Sequence, residues 1–149
     1  MTLSEFFNRL LTSIFEVHPL HSMTVHFPIA LTAAALLFLL LALWRRSESL
    51  ERAAFFNITL AAVSTVVASA TGMRDNLVRF DGEAPLAGVK VFLGVSLLIL
   101  TVVIAVSRWR KTELLWTPST MALYVLGFVA SFGLSATLGF LGGVILYGF

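Results

Sequence analysis

The stretch VHFPIALTAAALLFLLLALW, from Val25 to Trp44, contains no Asp, Glu, Lys or Arg and ends against Arg45 and Arg46. A hydrocarbon core about 30 Å thick is crossed by roughly 20 apolar residues in a helix that rises about 1.5 Å per residue. The run is long enough for one crossing. It therefore predicts a transmembrane helix, which is the first element of the fold.

Three further runs of the same character follow along the chain. Together with the first, they predict transmembrane spans at 25–44, 53–73, 87–107 and 118–141. Lys90 lies near the start of the third span, where a lysine can extend its amine to the membrane surface. In lipid each backbone amide must be bonded within its own helix. Residues 18–149 are therefore predicted to form an all-α membrane domain, a bundle of four transmembrane helices.

The composition indicates the same class of protein. Hydrophobic residues make up 58% of the 149 residues and charged residues only 12%, whereas soluble domains carry about 25% charged residues. A water-soluble enzyme is excluded, and ten Lys and Arg against eight Asp and Glu are too few cations for nucleic-acid binding. The absence of cysteine excludes disulfides and thiolate metal sites. No known catalytic motif is present, so we expect no catalytic residues and no enzyme.

Residues 1–17 differ from the rest because Glu5, Arg9 and Glu16 interrupt the apolar residues. The apolar side chains recur at helical spacing, and Thr2 with Glu5 matches a capping box at a helix start. The apolar residues are Leu3, Phe6, Phe7, Leu10, Leu11, Ile14 and Phe15. This pattern predicts an amphipathic helix that lies in the membrane interface. The same face would equally suit packing on the chain's own helices or on another subunit.

Basic residues set the expected orientation. The loops after the first and third spans carry Arg45, Arg46, Arg52, Arg108, Arg110 and Lys111. Because Arg and Lys concentrate in cytoplasmic loops, these two loops are predicted to face the cytoplasm. Both termini and the connection between the second and third spans would then lie on the outer face.

Small residues form a stripe along the fourth span, one every four residues. The stripe consists of Gly127, Ser131, Ser135, Gly139 and Gly143. Lipid is as apolar as leucine, so transmembrane helices associate through close backbone approach at small residues. We therefore predict that the stripe is a helix-packing face, within the chain or between copies.

All three histidines, His18, His21 and His26, fall within nine residues at the predicted outer end of the first span. Met23 lies among them, and Asp75 follows the second span as the acid best placed to orient a histidine there. Ionisable groups at a membrane boundary are expensive to bury and are functional candidates by default. These five residues form the candidate ligand-binding site.

Four interpretations of this segment stay open. The histidines can satisfy free backbone groups at a helix start, bind copper or zinc, hold a b-type haem, or form a proton or quinone site with Asp75. The second, third and fourth spans contain no histidine. A haem would therefore need Met73, Met121 or a residue of a second chain as its other axial ligand. The cofactor is left open, with haem b and copper as the candidates.

Three short motifs are spread along the chain. The first contains two histidines and FPIAL within 21–31, and the second is a small residue followed by an acid within 72–75. The third contains LGG and YG within 141–148. Together they resemble the motifs of a family of bacterial four-span membrane proteins, domain of unknown function 2231 (DUF2231). The resemblance covers most of 18–149 and implies the same four-span fold.

The chain departs from that family pattern at two positions. Ser22 stands where the family usually has proline, and Lys90 stands where a histidine is often found. The resemblance implies a multi-pass protein of the bacterial inner membrane that accompanies membrane redox proteins. We therefore expect a non-catalytic accessory subunit of a respiratory or photosynthetic electron-transfer complex, with the bilayer and other membrane subunits or a second copy as partners. The alternative is a redox membrane protein that binds haem or a metal through the outer histidines.

Overall fold

The computed structural model describes residues 2–13 and 20–147 of the chain. Within these residues it contains six α-helices and no strand. The helices are α1 (Leu3–Thr12), α2 (Leu20–Thr24), α3 (His26–Arg45), α4 (Glu48–Phe80), α5 (Ala87–Arg110) and α6 (Pro118–Tyr147). Four helical segments are long and apolar enough to cross a membrane, namely Leu20–Arg45, Glu48–Phe80, Ala87–Arg110 and Pro118–Ile145. The predicted fold class is confirmed.

The longest helix, α4, extends beyond both predicted ends of the second span. Its 33 residues correspond to about 50 Å, well over the roughly 30 Å of a hydrocarbon core. Arg52 and Arg74 look like span boundaries in the sequence, yet the helix continues past both. It can do so because charged residues in its end turns, including Glu51 and Asp75, pair with other side chains of the chain.

Each long helix packs beside two others. Helix α3 contacts α4 and α6, and α5 contacts the same two helices, so the four form a square antiparallel bundle. The connection from α3 to α4 is tight, because Arg46 adopts a left-handed conformation (φ 49°) and Ser47 caps α4 through the amide of Leu50. The start of α3, the end of α4, the start of α5 and the end of α6 therefore share one end, called here the His21 end. The opposite end is called the Glu51 end.

The interior of the bundle is narrow. Leu39, Ile58 and Phe128 are fully buried near its centre. The hydroxyls of Thr32 on α3 and Ser135 on α6 lie 2.6 Å apart, which joins these helices inside the core. Most large apolar side chains point outward and are exposed. This arrangement is the reverse of that in a soluble protein, where large apolar side chains are mostly buried, and it suits a surface that faces lipid.

The predicted small-residue stripe of α6 lies mainly against neighbouring helices. Ser131 and Ser135 are buried. A methyl group added at Gly139 would lie 2.8 Å from Cδ1 of Ile29 on α3, so a glycine there permits close approach. At Gly127 the corresponding neighbour is Ile104 of α5, whereas Gly143 has open space around it.

Helix α1 leaves its apolar side unpartnered within the described chain. Its capping box is present, since Oγ1 of Thr2 accepts from the amide of Glu5 and Oε2 of Glu5 accepts from the amide of Thr2. None of its residues is buried. The helix therefore forms from local signals alone and presents Leu3, Phe6 and Leu10 at the surface. The prediction that it lies in the membrane interface remains a prediction.

Candidate functional site

The first polar site lies at the His21 end and is built on the imidazole of His21 in α2. Nδ1 of this ring lies 2.9 Å from the carbonyl oxygen of Ala68 on α4. A carbonyl only accepts hydrogen bonds, so Nδ1 carries a proton and Nε2 of the neutral ring keeps the lone pair. The ring rests against Gly72, where a Cβ would lie 2.9 Å from Cε1 and 3.0 Å from Nδ1. A glycine at this position is what makes room for the imidazole.

Asp75 holds the same segment through the backbone. Its Oδ2 accepts a hydrogen bond of 2.9 Å from the amide of His21, and its Oδ1 forms a 2.8 Å ion pair with Nη1 of Arg74. The amide of His21 lies in the first turn of α2, where no intrahelical acceptor exists. Asp75 therefore contacts a histidine through its backbone amide at the helix start, whereas the sequence predicted that it orients a histidine side chain. A second contact nearby joins the hydroxyls of Thr24 and Thr71, 2.7 Å apart.

Lys90 completes this polar group from the first turn of α5. It is half-buried, and it lies close enough to His21 for direct electrostatic interaction. A Cβ at Gly142 would lie 3.9 Å from its Nζ, so the amine reaches α6. The residues His21, Gly72, Asp75, Lys90 and Gly142 are called the histidine rim below.

The other predicted ligand residues do not join the histidine rim. His26 is exposed, and Met23 is 58% exposed on the surface of α2. His18 lies outside the described residues. Over 2–13 and 20–147 no group of three or more His, Asp or Glu side chains is placed to hold a metal ion.

The two methionines considered as haem ligands do not face His21. Met73 is 60% exposed beside Gly72, and Met121 lies in the first turn of α6 at the Glu51 end. Among the described residues only His21 is placed as an axial ligand inside the bundle, so a haem would need its second ligand from outside the described residues or from another chain.

A second polar site, which the sequence did not reveal, lies at the Glu51 end. Glu51 is 1% exposed, and its two carboxylate oxygens accept hydrogen bonds of 2.6 and 2.7 Å from Nε and Nη2 of Arg108. The hydroxyl of Tyr124 donates to the same carboxylate at 3.1 Å. Phe55 covers the guanidinium at 5.5 Å. This glutamate cluster (Glu51, Arg108 and Tyr124) ties α4, α5 and α6 together.

The signal for the glutamate cluster is present in the sequence but weak. Glu51 lies near the start of the second span and Arg108 near the end of the third, so antiparallel packing brings them to the same end of the bundle. Opposite charges at the same level of neighbouring helices can pair. Sequence reasoning used Arg108 as a marker of a span end and of orientation, and it gave Glu51 no role. That interpretation missed that both side chains turn into the bundle.

The fold and its polar ends define a membrane protein built on four long apolar helices. The chain belongs to the DUF2231 family, described as a predicted membrane protein, whose model matches residues 17–149. The resemblance of its sequence motifs to that family is thereby confirmed. No curated protein and no solved structure shows significant similarity to the chain.

Proposed function

We propose that the chain is a non-catalytic accessory subunit of a larger membrane complex. This proposal rests on a contrast between the interior of the bundle and the surface of α1. Among the described residues every buried side-chain nitrogen and oxygen has a hydrogen-bond partner, whereas α1 leaves its apolar side exposed. An interior that satisfies its own polar groups, combined with an unpartnered apolar helix, suits a subunit that packs on other proteins.

The complex that we propose is a respiratory or photosynthetic electron-transfer complex of the bacterial inner membrane. The support for this setting is what the resemblance of the sequence motifs implies, a companion of membrane redox proteins. In this assignment the Glu51 end faces the cytoplasm, because Arg46, Arg52, Arg110 and Lys111 concentrate there. The histidine rim then lies on the outer side, and α1 packs against a partner subunit near that surface.

Gentle isolation from native membranes tests the proposal. An affinity-tagged chain is solubilised in a mild detergent, sized by chromatography, and its co-purifying proteins are identified by mass spectrometry. We expect a particle much larger than the 16.3 kDa chain that contains redox subunits in fixed ratio. Recovery of only a monomer or a homodimer would contradict the proposal.

A second candidate function is a redox membrane protein in which His21 binds a haem or a metal ion. One observation favours it. A histidine ligand usually donates its other ring N–H to a carbonyl or carboxylate, and Nδ1 of His21 is placed 2.9 Å from the carbonyl of Ala68. The purified native complex should then show a Soret band or bound metal that the H21L variant loses. Absence of both in the native complex would reject this function.

A further inference from the structure

Lys90 and His21 each present a nitrogen atom without a partner. Among the described residues none forms a hydrogen bond or ion pair with Nζ of Lys90, and none bonds to Nε2 of His21. No buried nitrogen in the described chain lacks a hydrogen-bond partner. Both atoms therefore retain some accessible surface.

The charges around this pair favour an anion. Asp75, the nearest acid in the histidine rim, is already occupied by Arg74 and by the amide of His21. Lys90 is left as a half-buried cation without a counter-charge in the described residues, which is unfavourable near a membrane. The ammonium group of Lys90 would attract an anionic oxygen placed beside it.

The two nitrogen atoms differ in what they bind. The ammonium of Lys90 only donates hydrogen bonds, and Nε2 of the neutral His21 ring accepts one. Their natural ligand thus combines a negatively charged oxygen with a neighbouring hydroxyl. Lys90 lies in the first turn of α5, and the end turns of a membrane-spanning helix reach the level of the lipid phosphates.

We propose that Lys90 and His21 bind the headgroup of an anionic phospholipid that carries a hydroxyl, such as a phosphatidylglycerol. Nζ of Lys90 donates to a phosphate oxygen, and Nε2 of His21 accepts from a headgroup hydroxyl. Gly72 keeps the imidazole in place, and Gly142 leaves space beside the amine. The site binds one lipid from the His21 side of the bundle and is independent of the partner subunits proposed above.

Native mass spectrometry of the purified full chain, titrated with single lipids, tests this site. The wild type is expected to bind phosphatidylglycerol about tenfold more tightly than zwitterionic phosphatidylcholine, since each charge-assisted hydrogen bond contributes on that scale. K90M should remove this preference. G72A, which displaces the His21 ring without changing any charge, should weaken it.

Matched controls separate the site from general charge effects. K111M removes one exposed cation at the Glu51 end, and G133A adds a methyl group in open space; both should retain the preference. Glycerol 3-phosphate, the soluble headgroup analogue, shows whether the acyl chains are needed; Lys90-dependent binding of either compound supports the site. The proposal is overturned if K90M and G72A both keep the wild-type preference, or if K111M loses it to the same extent as K90M.

Discussion

Asp75 on α4 accepts a hydrogen bond from the backbone amide of His21, 2.9 Å away and 54 positions earlier in the chain. This contact fixes the start of the first membrane segment against the end of the second. It also places the His21 ring beside Gly72 and Ala68. The geometry of the histidine rim therefore depends on a carboxylate that touches a backbone group and not an imidazole.

Replacing Asp75 tests this dependence. D75A leaves the amide of His21 without an acceptor in a partly buried position, which should lower the free energy of unfolding by about 1–3 kcal/mol. D75N retains an oxygen that can accept and should lose less. Chemical unfolding in detergent measures both variants, with E83A at an exposed acid of the following loop as the control. Equal stability of D75A and E83A would contradict the role of this contact.

The glutamate cluster predicts that substitutions at Glu51 and Arg108 have strongly coupled effects on stability. E51M or R108M alone leaves a buried or half-buried group without its partner, and each should destabilise the bundle by about 3–5 kcal/mol. The E51M/R108M double variant removes both charges together and should recover most of that loss. Unfolding free energies of the four proteins give the coupling energy. Additive losses in the double variant would show that the ion pair does not hold α4 to α5.

Helix α6 packs tightly on α3, so the effect of a larger side chain on stability should depend on its position along α6. Leucine at Gly139 collides with Ile29, so G139L should lower the unfolding free energy by about 1–3 kcal/mol. G133L places the same side chain on the same helix where no neighbour lies within contact distance, and it should have little effect. A comparable loss in both variants would indicate a general helix effect instead of packing at the α3–α6 contact.

The sequence predicted the architecture well because bilayer thickness constrains helix length so strongly. Uncharged runs marked the four long helices, and the Thr2–Glu5 capping box marked α1. The end turns of α4 were missed, since Arg52 and Arg74 look like boundaries when tertiary pairing is unknown. The contact between Glu51 and Arg108, which are 57 positions apart, could not be predicted for the same reason.

The candidate site was only partly predictable for a related reason. Spacing brought His21, His26 and Asp75 to one end of the bundle but could not tell which side chains turn inward. In the structure His21 turns toward α4, while His26 is exposed. The placement of Lys90 beside His21 depends on how α5 packs, and no local pattern in either segment encodes it.

The proposed accessory role predicts that α1 matters for assembly and not for folding. F6D/L10D places two acids on its apolar side and should release the chain from its complex, because a charged side chain is costly in an apolar contact. Bundle stability should stay unchanged, since no residue of α1 is buried. Sizing of solubilised native membranes and thermal unfolding of the purified chain check the two outcomes.

A matched variant gives the control for that experiment. N8D/T12D adds the same two charges to the polar side of α1 and should leave assembly intact. If both double variants stay in the complex, α1 is not the contact with the partner. If both leave it, the added charge alone is responsible.

Site-directed labelling tests the four-crossing bundle most directly, because the chain has no cysteine and therefore no background. E83C and T112C place single exposed cysteines in the second and third connections between the long helices, and S49C places one in the first turn of α4, next to the first connection. A membrane-impermeant maleimide should label E83C in right-side-out vesicles, and S49C and T112C only in inverted vesicles. Labelling of all three cysteines from the same side would contradict the four crossings.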